Sequence, residues 1–252
     1  MVKDIVGEIV FNKKVGNNIY ILSLEAEDVG EIYPGQFAML RIENGYDPFL
    51  RRPMSLFKKI GNKYYFLYQV VGRGTEILSR KREGEEISIL LPLGNSFPKL
   101  KERENVLIVG GGVGIAPLNF LVNFYKDQVN FYTFIGFSSF VLEEVYVDFK
   151  NYSREFVISS EDSSLGYKGK ILDFIPENLD NFEKIISCGP SKMLEILMKK
   201  VKDKEKVYLS LEERMGCGFG ICLSCAVRGK NRLLHVCKDG PVFCGTEVVF
   251  NE

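Results

Sequence analysis

This sequence of 252 residues has no tryptophan, a single histidine and no excess of positive or negative charge. His235 is the single histidine, which disfavours a metal site built from several histidines and a hydrolase with a histidine base. Lysine plus arginine and aspartate plus glutamate both total 33, so no basic excess favours nucleic-acid binding. We interpret His235, close to Cys237, as a structural residue.

Long apolar runs are absent as well. No run reaches the length that crosses a bilayer, and residues 1–6 lack the apolar core of a signal peptide. The six cysteines fit a reducing compartment better than a secreted disulfide scaffold. We therefore expect a cytoplasmic protein that binds no membrane.

The first 98 residues contain a series of short runs that are typical of strands. Pro34-Gly35 and Gly61-Asn62 supply turn signals between runs that alternate or are rich in aromatic residues. The predicted strands cover residues 5–11, 18–25, 36–42, 63–70 and 86–91. Several short strands in under 100 residues predict a small antiparallel β-barrel.

The pattern changes after Pro98, where strands begin to alternate with helices. The predicted strands cover residues 106–109, 131–135, 155–159, 184–188 and 206–211. Helical periodicity follows at 115–125 and at 191–201, where Ser191 is a candidate N-cap. This alternation predicts a parallel sheet in an α/β domain. We predict three units: a barrel at 1–98, the α/β domain at 99–211, and a small segment at 212–252.

Four cysteines in that last segment follow the spacing C-x4-C-x2-C-x11-C: Cys217, Cys222, Cys225 and Cys237. The first three reproduce the plant-type [2Fe–2S] spacing, and a more distant fourth cysteine completes it. Neighbouring glycines allow the backbone to approach the sulfides closely. The alternative is structural zinc, which usually shows two C-x2-C-like pairs where this sequence has one.

Two cysteines remain outside this set. Cys188 follows an apolar run and is interpreted as a half-buried thiol at a strand end. Cys244 lies seven residues after Cys237 and competes with it as the fourth ligand, although Cys237 is better placed.

Two motifs in the barrel region are suited to binding a diphosphate. Arg51 and Arg52 precede Pro53-Met54-Ser55, and a guanidinium beside a hydroxyl can bind phosphate oxygens on a loop that Pro53 stiffens. Gly72-Arg73-Gly74-Thr75 precedes an apolar helical turn, where backbone N–H groups can bind phosphate. Each motif has a plain alternative, a solvated strand edge for the arginines and an ordinary turn for the glycines.

Two further motifs lie at predicted strand ends of the α/β domain. Gly110-Gly111-Gly112-Val113-Gly114 joins a strand to a helix, at the edge where open α/β sheets bind nucleotides. It is not a full G-x-G-x-x-G motif. Cys188-Gly189-Pro190 follows another strand and is expected to line the same crevice. The residues that we predict to contact NAD are Gly111, Gly112, Gly114, Cys188, Gly189 and Pro190.

The order of these four motifs resembles the ferredoxin-reductase family, in which a β-barrel binds a flavin and an α/β domain binds a nicotinamide nucleotide. The cluster segment narrows the resemblance. Residues 212–218, 222–225 and 236–243 closely resemble those of the electron-transfer subunits of class 1B dihydroorotate dehydrogenases, and residues 92–98 fit that family's inter-domain joint.

The resemblance implies roles for individual residues. The four spaced cysteines would bind a [2Fe–2S] cluster. The residues implied to hold FAD are Arg52, Pro53, Met54, Ser55, Tyr68, Gln69, Val70, Gly74 and Thr75. Family members often have arginine where this chain has Gln69, which implies somewhat weaker FAD binding here.

The implied function is electron transfer in pyrimidine biosynthesis. A partner subunit with FMN would oxidise dihydroorotate, and electrons would pass through the cluster and FAD to NAD+ in a heterotetramer with two copies of each subunit. This chain shows no clear base for C–H removal, so no catalytic residue is assigned. Residues 135–140 contain no arginine or lysine for a 2′-phosphate, which favours NAD, and Glu143 or Glu144 could accept from a ribose hydroxyl.

Three other functions stay open at this point. The first is the small flavin and [2Fe–2S] subunit of a ferredoxin–NAD(P) transhydrogenase or sulfide dehydrogenase, although those tend to carry aspartate where this chain has Cys217. The second is a zinc-bearing binding module without enzymatic activity. The third is a stand-alone reductase.

Overall fold

The computed structural model describes residues 1–250, and its first part is a closed barrel of six antiparallel strands in the order β1-β2-β5-β4-β3-β6. The strands are β1 Lys3–Gly16, β2 Ile19–Ala26, β3 Phe37–Arg41, β4 Arg52–Ile60, β5 Lys63–Gln69 and β6 Glu86–Leu93. Helix α1, Arg73–Arg80, connects β5 to β6. The predicted barrel is confirmed.

Strand β4 corrects the sequence-based prediction. Pro53 was expected to stiffen a loop, but it lies in β4 and pairs with Met39 of β3. The arginines and the proline at the start of β4 hide the strand signal, because proline cannot donate a ladder hydrogen bond. Burial of Leu56 and Phe57 further along the strand outweighs that weakness.

The second sheet has seven strands in the order β10-β9-β8-β7-β11-β12-β15. All neighbouring pairs are parallel except β12 and β15. The strands are β7 Asn105–Gly111, β8 Asn130–Phe137, β9 Ser153–Ser160, β10 Tyr167–Lys168, β11 Lys184–Cys188, β12 Val207–Ser210 and β15 Val242–Cys244. The predicted parallel α/β arrangement is confirmed, and its antiparallel edge strand comes from the cysteine-rich segment.

The remaining helices and a small hairpin complete the structure. They are α2 Ile115–Phe124, α3 Val147–Tyr152, α4 Ser191–Lys200 and α5 Val236–Asp239, with the hairpin strands β13 Ala226–Arg228 and β14 Leu233–His235. Helix α4 corrects one detail, because Pro190 is the N-cap residue and Ser191 is the first helical residue. No helix among residues 1–250 combines the length and the apolar character needed to cross a membrane.

A shared apolar core joins the barrel to the sheet. Phe57 and Leu67 of the barrel are buried in the same cluster as Ala116 of α2 and Val141. A backbone hydrogen bond of 2.7 Å from Leu142 N–H to the Val15 carbonyl adds to this contact. The packing brings β4 and helix α2 against each other, and both border the candidate site.

Candidate functional site

The four spaced cysteines converge between the β15 edge of the sheet and the barrel, where Cys225 and Cys237 are buried in one cluster with Phe243 of β15 and Met39 of β3. The four cysteines lie as two neighbouring pairs. The Sγ atoms of Cys225 and Cys237 are 3.3 Å apart, while the Cys217 N–H lies 3.4 Å from the Cys222 Sγ. Cys225 and Cys237 are buried, and Cys222 is exposed.

Backbone N–H groups point at these sulfurs. Cys217 Sγ accepts from Ile221 at 3.3 Å and from Cys222 at 3.4 Å, and Cys237 Sγ accepts from Gly220 at 3.1 Å. The loop can turn its N–H groups inward because Gly218 and Gly220 adopt positive φ values of 84° and 87°. Donors aimed at sulfur stabilise the thiolate form that binds metal.

The pairing suits a cluster better than a single ion. A [2Fe–2S] centre has two irons and four cysteine ligands, so each iron takes two cysteines. Tetrahedral zinc would need all four thiolates around one point. The donor set therefore fits the iron–sulfur group.

Ser224 contacts both the loop and a cysteine. Its Oγ accepts a hydrogen bond of 3.0 Å from Gly216 N–H and lies 3.2 Å from Cys222 Sγ. Since a thiolate can only accept, the Ser224 hydroxyl is left to donate to the sulfur. This hydroxyl, with the N–H groups of Ser224 and Cys217, lowers the pKa of Cys222 to about 6, whereas burial raises the pKa of Cys237 to about 12.

The two cysteines outside the set lie elsewhere. Cys244 is on β15, where its Sγ lies 3.2 Å from Thr246 Oγ1 and near the carbonyl of Glu205. Cys188 ends β11 and is fully buried rather than half-buried, so burial, followed by the charge of Glu212, raises the pKa of its thiol. The closer contacts among the other four cysteines favour Cys237 over Cys244 as the fourth ligand.

A cavity of about 950 Å³ opens between the barrel, helix α2 and the start of the cysteine-rich segment. Seven of the residues implied to hold FAD line it: Arg52, Pro53, Met54, Ser55, Tyr68, Gln69 and Thr75. Val70 and Gly74 are not among the lining residues. The cavity is large and partly apolar, with arginine and hydroxyl groups on its wall, as a dinucleotide requires.

Gly74 acts indirectly at this cavity. A Cβ atom at residue 74 would overlap the Arg52 guanidinium, so glycine leaves the space that the arginine occupies. Thr75 Oγ1 accepts hydrogen bonds from Val71 N–H at 3.0 Å and from Gly72 N–H at 3.2 Å. The threonine thereby shapes the turn before helix α1. Tyr68, which also lines the cavity, lies on strand β5, and burial raises the pKa of its hydroxyl.

Several cavity residues were missed as cofactor contacts. Leu211, Glu212, Glu213, Arg214 and Met215 line the cavity directly after strand β12. Glu212 faces this open space, yet the surrounding protein desolvates it and raises its pKa. Their position could have been inferred, because ligands of open α/β sheets bind beyond the carboxyl ends of parallel strands.

The two motifs predicted to bind NAD meet at one end of the sheet. Strands β7 and β11 pair in parallel, so their following loops are neighbours. A Cβ atom at Gly114 would lie 2.7 Å from Gly189 Cα, and one at Gly111 would lie 2.9 Å from Pro190 Cδ. Glycine at both positions permits this close approach. Gly112 adopts a positive φ of 55° beside them.

The two glutamates considered for a ribose contact are engaged elsewhere. Glu143 forms an ion pair of 2.9 Å with Lys150, and Glu144 pairs with Lys13 of the barrel. Both pairs are exposed. Neither carboxylate is held beside the glycine loops by these contacts.

The fold and site together define a reductase of ferredoxin-reductase architecture with a C-terminal iron–sulfur segment. Residues 212–249 match the family model for the iron–sulfur cluster binding domain of dihydroorotate dehydrogenase B. The electron-transfer subunit of dihydroorotate dehydrogenase B (NAD+) from Clostridium acetobutylicum is 40% identical over 244 residues, which cover 96% of this chain and 95% of that protein. The electron-transfer subunit of the same name from Geobacillus sp. (strain WCH70) is 41% identical over 256 residues, which cover 96% of this chain and 96% of that protein.

This chain therefore belongs to the family of dihydroorotate dehydrogenase B electron-transfer subunits. The solved structure of an NADH-dependent reduced ferredoxin–NADP oxidoreductase is also similar, with a TM-score of 0.84, 29% identity and coverage of 96% of this chain and 89% of that one. A ferredoxin reductase in carbazole 1,9a-dioxygenase shares the fold at a TM-score of 0.70 and 19% identity, covering 82% and 69%. The family, the fold class and the electron-transfer function predicted from the sequence are confirmed.

Proposed function

We propose that this chain passes electrons from an FMN-containing dihydroorotate dehydrogenase subunit, through a [2Fe–2S] cluster and FAD, to NAD+. The observation that carries the proposal is that the two candidate sites adjoin along the chain. Met215 lines the 950 Å³ cavity, and Cys217 follows it by two residues. Both cofactor sites therefore share one short stretch of backbone.

Each group of residues has a defined part in this proposal. Cys217, Cys222, Cys225 and Cys237 hold the cluster, which when bound carries one electron at a time, while FAD exchanges single electrons for a hydride. Arg52, Ser55 and the turn at Thr75 bind the FAD diphosphate. The glycine loops after β7 and β11 bind the nicotinamide nucleotide. The units divide at residues 98 and 211.

The partner and the location belong to the same proposal. The chain works in the cytoplasm, in a heterotetramer with two copies of each subunit, as the family resemblance implies. No disulfide joins any of the six cysteines in residues 1–250, and the four that would hold the cluster bind iron as thiolates. Dihydroorotate oxidation takes place on the partner, since this chain offers no evident base for it.

An anaerobic absorption titration tests the proposal. Flavin and iron–sulfur bands should bleach together on addition of NADH. Arg52→Ala should lower FAD content several-fold, because a phosphate-binding cation at the cavity wall is lost. Arg80→Ala is the matched control, because Arg80 pairs with Glu76 on the exposed face of α1. Normal FAD content in Arg52→Ala would contradict the assigned FAD site.

The structural similarity to the ferredoxin–NADP oxidoreductase favours a transhydrogenase-type subunit as the second candidate. Bleaching with NADPH but not with NADH would support it. Cys217 favours the first candidate, since transhydrogenase subunits tend to have aspartate there. A colourless protein with one zinc per chain would contradict both redox candidates.

A further inference from the structure

A buried polar network joins the barrel to the sheet, away from both proposed cofactor sites. Asp148 of helix α3 accepts at Oδ2 from Lys58 Nζ at 3.0 Å, from Asn123 Nδ2 at 2.9 Å and from Asn119 Nδ2 at 3.3 Å. The Asn119 amide also donates to the Phe57 carbonyl at 3.1 Å. Lys58 and Phe57 belong to the barrel, and the other three residues to the sheet side.

A β-bulge supplies the barrel's acceptor. The register of β4 against β5 shifts between Leu56 and Lys58, so Phe57 is the extra residue. A bulge leaves one residue out of the ladder and changes the direction of its backbone groups. The freed Phe57 carbonyl points to Asn119 across the interface. The irregularity therefore has a partner on the opposite unit.

The network lowers the stability of the fold at one atom, a penalty that purely apolar packing would avoid. Asn119 is completely buried, and its Oδ1 atom has no hydrogen-bond partner. Ala116, Leu118 and Val122 around it belong to an apolar core. Burying an amide with an unpaired oxygen is unfavourable, whereas directional hydrogen bonds restrict how two surfaces align. An interface of apolar side chains alone would let the barrel and the sheet shift more freely against each other.

The position of the network connects it to the reaction. Strand β4 carries Arg52 to Ser55 on the cavity wall, two residues before Phe57. Helix α2 begins directly after Gly114 and carries Ala116 to the same cavity. A rotation about this interface would move the flavin wall relative to the nicotinamide loops.

We propose that Asn119 and Asp148 are positioning residues that set the distance between the flavin and the nicotinamide. This inference rests on the proposed function, in which a hydride passes between those two groups. Misplacement of reacting groups by about 1 Å can slow a reaction by about a hundredfold. The network would therefore act on the rate of hydride transfer rather than on the affinity for either cofactor.

The test compares Asn119→Leu and Asp148→Asn with Lys150→Met. Lys150 lies on the same helix α3 as Asp148 and forms the exposed pair with Glu143, so its loss controls for helix surface changes. Stopped-flow absorption measures flavin bleaching at saturating NADH in FAD-loaded protein. We expect the first two variants to bleach at least about tenfold more slowly. Their FAD content, NADH affinity and photochemical reduction should match those of wild type and Lys150→Met.

Wild-type bleaching rates in both network variants would overturn the inference. A slowing that only follows lost FAD or lower thermal stability would also overturn it, because it would show a purely structural role. If Asn119→Leu fails to fold, Asp148→Asn and Lys58→Met decide the question at the less buried end of the network.

A second readout separates this inference from the proposed function. Paramagnetic labels at exposed residues 14 and 200 report the distance between the barrel and the sheet without any nicotinamide. The network variants should broaden that distance distribution, and an unchanged distribution would contradict the inference. Failure of wild type to bleach with NADH would contradict the proposed function alone.

Discussion

The loop that carries the first two proposed cluster cysteines and the segment that carries the last two are built in opposite ways. Around Cys217 and Cys222, the side chains of Phe219, Ile221 and Leu223 are 51%, 74% and 55% exposed. Around Cys225 and Cys237, Leu234, Val236 and Phe243 are buried in the core under the sheet. The segment around Cys225 and Cys237 is therefore stabilised by apolar packing. The loop around Cys217 and Cys222 is stabilised mainly by backbone N–H contacts to the sulfurs.

This difference shows how a small segment can hold a large cofactor. The buried half belongs to the fold, because β15 pairs with β12 and forms an edge strand of the sheet. The exposed half has glycine turns and N–H donors but buries little apolar surface. We therefore expect this loop to be ordered only when the cluster is bound.

The largest difference between the two halves is expected when one cysteine of each is replaced by serine. Cys225→Ser should abolish iron binding and make residues 212–250 sensitive to protease, because it removes a buried ligand. Cys222→Ser should lower iron content but leave the hairpin of β13 and β14 resistant. Iron analysis and limited proteolysis measure both effects.

Cys244→Ser is the control for the cysteine pair, because its thiol lies beside Thr246 and outside the cluster. It should keep full iron content. Iron loss in Cys244→Ser, or equal protease sensitivity in the other two variants, would remove the distinction between the halves.

Truncation of apolar side chains should give the next largest difference. Phe243 is 2% exposed, and Phe243→Ala should lower the free energy of unfolding by about 3–5 kcal/mol through the cavity it leaves. Ile221→Ala should change it by less than about 0.5 kcal/mol, because that side chain is exposed. Urea denaturation monitored by circular dichroism compares them, and similar losses in both would contradict the packing argument.

Removal of iron by a chelator should affect the exposed half selectively. Amides of residues 216–222 should exchange with deuterium faster after chelation, because their N–H groups lose the ordered sulfurs. Amides of β12 and β15 should exchange at their former rate. Equal acceleration in both regions, measured by mass spectrometry, would show that the whole segment depends on the cluster.

The smallest expected effect concerns one hydrogen bond. Ser224→Ala removes the hydroxyl that lies 3.2 Å from Cys222 Sγ, and it should shift the cluster reduction potential to a more negative value. Thr246→Val removes an equal contact of 3.2 Å to Cys244, which lies outside the proposed ligand set, and should leave the potential unchanged. A redox titration followed by electron paramagnetic resonance measures both, and equal potentials in Ser224→Ala and wild type would contradict the assignment.

Local patterns predicted much of the fold. The predicted strands of the α/β sheet, such as β7, agree with the structure to within about two residues, whereas β1 extends five residues beyond its predicted end. Strand β4 was missed because Arg52 and Pro53 oppose the strand signal, and tertiary packing of Leu56 overrode it. The residue roles at the cofactor sites and the unit boundaries remain predictions.

The sequence by itself determined the cysteine spacing, the glycine-rich strand ends and the motif order, because these depend on residue type and local separation. Only the tertiary structure decided that β15 completes the sheet, that Cys217 lies beside Cys222 and Cys225 beside Cys237, and that Asn119 meets the Phe57 bulge. The pairing of β15 with β12 and the contact of Asn119 with Phe57 join residues far apart in the chain. Their geometry is fixed by packing between units, which no local pattern encodes.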